Sequence, residues 1–137
     1  MEIHPNVTTD EQIEALADLG FNRISMGVQD FNPEVQRAVN RIERSERVEE
    51  LVRLVRTKGF RSVNLDLIYG LPLQTVESFE KTVEAIIQIS PDRIALFNYA
   101  HVPWLKPYQK YIKESELPGG EVKFDIFRMA IAKLTRA

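Results

Sequence analysis

The chain has 137 residues, 44% of them hydrophobic and 28% charged, which is ordinary for one globular domain with a modest core. Its 18 basic and 20 acidic residues give a net charge of −2, so nothing favours nucleic acid or an anionic membrane as a partner. Because the chain has no cysteine, it forms no disulfide and cannot itself hold an iron–sulfur cluster. No signal peptide or membrane span is recognisable, and we expect a cytoplasmic protein.

The first half of the chain alternates extended segments with amphipathic ones. Caps, stop signals and hydrophobic period set the element boundaries. The predicted elements are the end of a strand over residues 1–5, a helix capped by Thr8 or Thr9 and stopped by Gly20, a strand over Arg23–Gln29, a short helix from Pro33 to about Val39, and a longer helix capped by Ser45 and stopped by Gly59.

The second half continues the same alternation. Its predicted elements are a strand over Ser62–Tyr69, a helix capped by Thr75 and ended by Ser90, a strand over Arg93–Val102, an uncertain helix over Trp104–Glu114, and a last amphipathic helix from about Glu121. The inward stripe predicted for the last helix is Phe124, Phe127, Ala130, Ile131 and Leu134.

The strand over Ser62–Tyr69 has two unlike faces. Val63 and Leu65 share the apolar face, whereas Asn64 and Asp66 point to the other face. Parallel strands buried on both sides are normally continuous runs of apolar residues, so these two polar residues are exceptions. In a TIM-like barrel they would face a binding site near the carboxyl ends of the strands. The alternative is that Asp66 only caps the turn that follows.

The strands are too few for a self-contained parallel fold. A closed barrel needs about eight strands, and an open doubly wound sheet five or six. We therefore expect residues 1–137 to be one fragment of a larger α/β barrel, with about three parallel strands joined by crossover helices. Exposed edges pair readily with other chains, so we expect the fragment to self-associate.

Several polar residues fall at the predicted carboxyl ends of strands. Glu2, Gln29, Asp66 and the pair Ala100 and His101 would meet at one rim, and Arg41 follows a short helix. Arg grips a carboxylate with two hydrogen bonds, and carboxylates accept from hydroxyls or amines. This mixture suits a ligand with a carboxylate and an ammonium or ribose. A lone His101 is more often structural than functional, and no metal site is predicted.

Four stretches together resemble a known family. They are Phe21–Phe31, Val39–Arg41, Asn64–Pro72 with Gln74–Thr75, and Phe97–His101. They closely resemble the oxygen-independent coproporphyrinogen III oxidases, which are radical S-adenosylmethionine enzymes of haem biosynthesis. The resemblance covers essentially the whole chain. Haem chaperones share the stretches around Gln29 and Asp66, whereas those around Arg41 and Tyr99 favour the oxidase.

The resemblance implies a partial barrel of six β/α units that binds two S-adenosylmethionine molecules. Carried across by motif, Glu2 contacts the molecule on a [4Fe–4S] cluster, and Gln29, Arg41, Asp66 and Ala100 surround the second one. His4 departs mildly from the family pattern. The family's cluster is held by three cysteines that this chain does not contain.

The implied activity of the parent protein is oxidative decarboxylation of two propionates of coproporphyrinogen III to vinyls, giving protoporphyrinogen IX, with an electron donor protein as partner. The chain alone is expected to be inactive, and the resemblance assigns no catalytic residue to it. The alternatives are a haem chaperone of the same superfamily and a small α/β module that binds a metabolite or is purely structural.

Overall fold

The computed structural model describes residues 1–137 as four parallel strands that alternate with five α-helices. The elements are β1 (Glu2–Ile3), α1 (Asp10–Asp18), β2 (Arg23–Gln29), α2 (Pro33–Ala38), α3 (Ser45–Thr57), β3 (Ser62–Tyr69), α4 (Val76–Ile89), β4 (Arg93–Asn98) and α5 (Gly120–Arg136). None of these helices combines the length and the apolar character needed to cross a membrane.

Side-chain caps start most of these helices where the sequence predicts them. Thr9 and Thr75 each accept a hydrogen bond within a capping box, and Asn32 caps α2. The prediction for Ser45 is wrong, because the capping position of α3 is Arg44 and Ser45 is already helical. Just before this helix, Gln36 Nε2 donates to the carbonyl of Glu43 at 2.6 Å.

The strands lie in the order β1-β2-β3-β4, and every pair is parallel. The predicted strand end at residues 1–5 is confirmed as β1, which makes four strands where about three were expected. The strand predicted over Arg93–Val102 ends at Asn98 instead. Its last link to β3 is the bond from Tyr99 N to Tyr69 O, after which β3 has ended and offers no partner.

The hydrophobic core lies between the sheet and its helices. Met26 of β2 and Leu65 and Leu67 of β3 are fully buried there against Ile13 and Phe79. Burying side chains of this size contributes about 1.5–3 kcal/mol each. The alternating pattern therefore turns one face of the sheet toward the helices and leaves the opposite face to the polar side chains.

The last helix buries a different stripe from the one predicted. Ala130 is buried as expected, together with Ile126, but Phe124 is 59% exposed and Ile131 is 41% exposed. The helix is apolar on two sides, and the side with Ile126 and Ala130 packs toward α4, where the ammonium of Lys133 also binds Glu80 and Glu84. The other side stays open.

The segment between β4 and α5 is not the helix predicted over Trp104–Glu114. It forms two short 3₁₀ turns, Pro107–Tyr111 and Glu114–Glu116. Pro107 has no amide hydrogen to donate and restricts the residue before it, so an α-helix cannot run through this point.

Candidate functional site

Polar side chains cover the face of the sheet that turns away from the helices. Asp66 accepts hydrogen bonds from Asn64 Nδ2 at 2.7 Å and from Ser25 Oγ at 3.3 Å. Asn64 also donates to Ser25 Oγ at 2.8 Å, so the three groups form a closed network across β2 and β3. Register partners in a sheet point to the same side, and Glu2 pairs with Ser25. Glu2 therefore belongs to this polar face.

Gly27 lets an arginine lie against the strand. A Cβ atom at this position would lie 2.7 Å from Arg41 Nη2 and 3.3 Å from Gln29 Nε2. With no Cβ atom in the way, Arg41 Nη2 donates to Gly27 O at 3.0 Å. Since Gly27 is the register partner of Asp66, the guanidinium, the amide and the carboxylate converge on neighbouring strands.

Gln29 carries the clearest sign of a missing partner. The register of β2 with β3 shifts between Gly27 and Gln29, and Gln29 has a φ of 68°, which is unusual for a residue with a side chain. Its Oε1 atom is buried and accepts no hydrogen bond from the protein. A buried acceptor without a donor is costly, so this oxygen is available to a ligand.

Glu43 lies behind Arg41. Its Oε1 atom is 2.8 Å from His4 Nδ1 and 3.3 Å from Arg41 Nε, and its side chain is only 1% exposed. Its other oxygen, Oε2, is buried and has no partner. Burial raises the pKa of Glu43, and the charges of His4 and Arg41 oppose that rise.

A second buried carboxylate, Asp30, fastens the turns beyond β2 and β3. Oδ1 accepts from Thr82 Oγ1 and from Asn32 N, and Oδ2 accepts from Gln74 Nε2 at 2.9 Å. Gln74 Oε1 in turn accepts from Gly70 N at 2.7 Å. Burial raises the pKa of Asp30 although these hydrogen bonds favour the charged form. Both oxygens of Asp30 accept hydrogen bonds from the protein, so this network has a structural role.

Ala100 lies in the loop that follows β4. Its carbonyl accepts from Gln109 Nε2 at 3.1 Å, and Gln109 Oε1 accepts from Val102 N at 2.6 Å. Next to it, His101 Nδ1 is 3.0 Å from the Tyr99 hydroxyl. The buried Gln109 therefore fixes the loop on which Ala100 sits.

A cavity of about 290 Å³ lies elsewhere, under the start of α5. It is lined by Tyr69, Asn98, Gly120, Lys123, Phe124 and Phe127. Tyr69 and Asn98 are register partners on the helix side of the sheet, so this cavity does not open onto the polar face.

Comparison with known proteins decides the family. Residues 1–86, more than half of the chain, match the family model of the radical SAM superfamily. The chain belongs to the radical SAM superfamily.

Similar proteins from this superfamily match over nearly the full chain. The chain is 50% identical over 136 residues to an oxygen-independent coproporphyrinogen III oxidase of Helicobacter pylori and 46% identical over 137 residues to that of Escherichia coli. These matches cover 99% and 100% of the chain but only 30% of each relative. The chain thus spans about a third of the length of these relatives.

Solved structures confirm the fold as part of the radical SAM α/β barrel. The structure of coproporphyrinogen III oxidase from Escherichia coli, a radical SAM enzyme, matches 98% of this chain and 31% of its own with a TM-score of 0.96 and 47% identity. An archaeal Elp3 from Methanocaldococcus infernus is 19% identical with a TM-score of 0.74, which shows a shared fold alone.

The radical SAM fold brings some of the predicted site residues together. Gln29, Arg41 and Asp66 meet around Gly27, and Glu2 shares their face, whereas Ala100 lies in the loop after β4, where its carbonyl accepts from Gln109. Gly27 could have been found from the sequence, because glycine inside a strand often marks the close approach of another group. Glu43 had no such signal, since it follows Arg41 in an ordinary charged stretch.

Proposed function

We propose that this chain is the central barrel part of an oxygen-independent coproporphyrinogen III oxidase, and that the polar face of β2 and β3 binds S-adenosylmethionine. Support for the oxidase comes from the two relatives of that name, which match the whole chain at 50% and 46% identity. The observation that carries the binding site is the buried, unpartnered Oε1 of Gln29 beside Arg41 and Asp66.

The residues present fit the chemistry of this ligand. Arg41 would bind the carboxylate of the methionyl group, and Asp66 would accept from its ammonium or from ribose hydroxyls. Gln29 Oε1 would accept a further hydrogen bond from the ligand. Glu2, whose register partner is Ser25, would contact the other S-adenosylmethionine molecule, the one on the cluster. The backbone around Ala100 would close the site of the second molecule from the β4 side.

S-adenosylmethionine on a [4Fe–4S] cluster would supply the radical chemistry that removes hydrogen from a propionate of coproporphyrinogen III. The residues of this chain would orient the reactants and exclude water. Since the chain contains no cysteine, the cluster ligands would come from another part of the protein. We expect the chain alone not to decarboxylate coproporphyrinogen III.

An electron donor protein is a further proposed partner, and the cytoplasmic location stays a prediction. We also propose that the chain self-associates. The support is that β4 is an edge strand with Phe97 53% exposed on it, and that α5 also exposes apolar side chains.

Equilibrium dialysis with S-adenosylmethionine tests the proposed site. The wild-type chain should bind, and Asp66→Asn should weaken binding at least about tenfold because a charge-assisted hydrogen bond is lost. Asp125→Asn removes the same charge from the exposed surface of α5 and is the matched control. Equal affinity of all three proteins, or no binding by any, would contradict the proposal.

A further inference from the structure

Glu43 is a buried carboxylate that the fold retains at a cost. Taking an ionised carboxylate out of water is unfavourable unless it is paired and fully hydrogen-bonded. The ion-pair contacts of Glu43 to His4 and Arg41 are both made by Oε1, and Oε2 is buried without a hydrogen bond. A residue needed for stability alone would be better replaced by an apolar side chain of similar volume.

Comparison with Asp30 sharpens this point. Asp30 is equally buried, but both of its oxygens accept hydrogen bonds, and its partners are Asn32 at the start of α2, Gln74 in the turn after β3 and Thr82 within α4. Glu43 instead contacts Arg41, which lies on the polar face, and His4, which follows Glu2 by two residues. Glu43 therefore contacts residues of the proposed binding site or next to it, whereas the side chain of Asp30 does not.

The geometry of Arg41 shows what Glu43 does. The guanidinium is planar, and two separated contacts fix its orientation: Nε to Glu43 Oε1 at 3.3 Å, and Nη2 to Gly27 O at 3.0 Å. Without Glu43, only the carbonyl of Gly27 would hold the group. The same Oε1 atom also contacts His4, so it links the segment after β1 to Arg41.

We propose that Glu43 is a positioning residue that fixes the guanidinium of Arg41 for the ligand and ties it to the Glu2 end of the polar face through His4. This inference rests on the proposed function for the identity of the ligand. Glu43 does not touch the ligand itself, and it acts through Arg41.

A double-mutant cycle separates positioning from a merely structural role. The affinity of the chain for S-adenosylmethionine is measured for the wild type, Glu43→Gln, Arg41→Lys and the double variant. Glu43→Gln should weaken binding about tenfold in the wild-type background and less than about twofold when Arg41 is already lysine. The control is Glu49→Gln, which removes a carboxylate from an exposed pair with Arg53.

A second readout does not depend on ligand binding. In an ¹⁵N-labelled chain, the Nε–H signal of Arg41 should be protected from exchange with water in the wild type and in Glu49→Gln, and lost in Glu43→Ala. Arg41→Lys assigns the signal, and thermal melts identify any variant that fails to fold.

These readouts distinguish two kinds of failure. An equal loss of affinity in both backgrounds, or an Arg41 signal unaffected by Glu43→Ala, would overturn the positioning role. If the wild type binds no S-adenosylmethionine, the proposed function fails, and the Arg41 signal alone then decides whether Glu43 positions it.

Discussion

Asp30 and Glu43 differ in how the fold compensates for removing a carboxylate from water. Asp30 accepts hydrogen bonds on both oxygens, yet burial still raises its pKa. The folded state therefore binds this proton more tightly than the unfolded state, whose carboxyl has the ordinary value of 3.8. The contribution of Asp30 to stability is present below that value and is lost as the pH rises through the raised pKa.

This linkage predicts the pH dependence of Asp30→Asn. As the pH rises from below 3.8 toward 7, the free energy of unfolding of the wild type should fall relative to that of the variant, which has no proton to lose at this position. Urea unfolding at several pH values measures the difference, and Asp125→Asn controls for loss of a charge alone. A difference that stays constant, or that grows in favour of the wild type, would contradict the assignment.

Among single residues, the sequence predicts those site residues that stand out from the pattern of their own strand. Asp66 and Gln29 are recognisable because a polar residue interrupts the continuous apolar run expected of a buried parallel strand. Glu43 is not, because its burial comes from a contact with His4, 39 positions away in the chain, and no local pattern records such a contact. Ala100 was placed by resemblance, and its loop is fixed by Gln109, a residue that carries no motif.

At the scale of elements, capping residues and the spacing of hydrophobic residues predict where helices start and where strands lie. Tertiary packing decides which side of a helix is buried and how long a strand is. The predicted caps at Thr9 and Thr75 are confirmed, because each depends only on residues three positions apart. The buried side of α5 is not predictable in this way, since both of its sides are apolar and only contact with α4 selects one. β4 is likewise shortened by the end of its neighbour.

Two substitutions in α5 test which side is buried. Ile126 is fully buried, so Ile126→Ala should lower the free energy of unfolding by about 2–5 kcal/mol through lost contacts and a cavity. Phe124 is 59% exposed, and Phe124→Ala should change it by no more than about 0.5–1 kcal/mol. Urea unfolding of both variants decides, and a larger loss for Phe124→Ala would contradict the packing of this helix.

At the scale of the molecule, the sheet has two unpaired edges. β1 and β4 are its edge strands, Phe97 is exposed on β4, and Phe124 and Ile131 are exposed on α5. Unpaired edges with apolar neighbours favour association. The chain spans about 30% of the length of its similar relatives. The fold class was predictable from the alternation of elements, whereas the open side of α5 was not.

Self-association can be measured by sedimentation velocity at micromolar concentration. The wild-type chain should form dimers or larger species, and Phe97→Lys should shift it toward monomer because a charge on an edge strand disfavours pairing. Glu49→Gln, on the exposed surface of α3, should leave the distribution unchanged. A monodisperse wild-type monomer would contradict this prediction.

The central claim is that the polar face of β2 and β3 binds S-adenosylmethionine, and an NMR titration of the ¹⁵N-labelled chain with this ligand tests it most directly. The account predicts that the largest chemical-shift changes fall on Gly27, Gln29, Arg41 and Asp66. Changes centred instead on the cavity between Tyr69 and Phe127, or no changes at millimolar ligand, would contradict it.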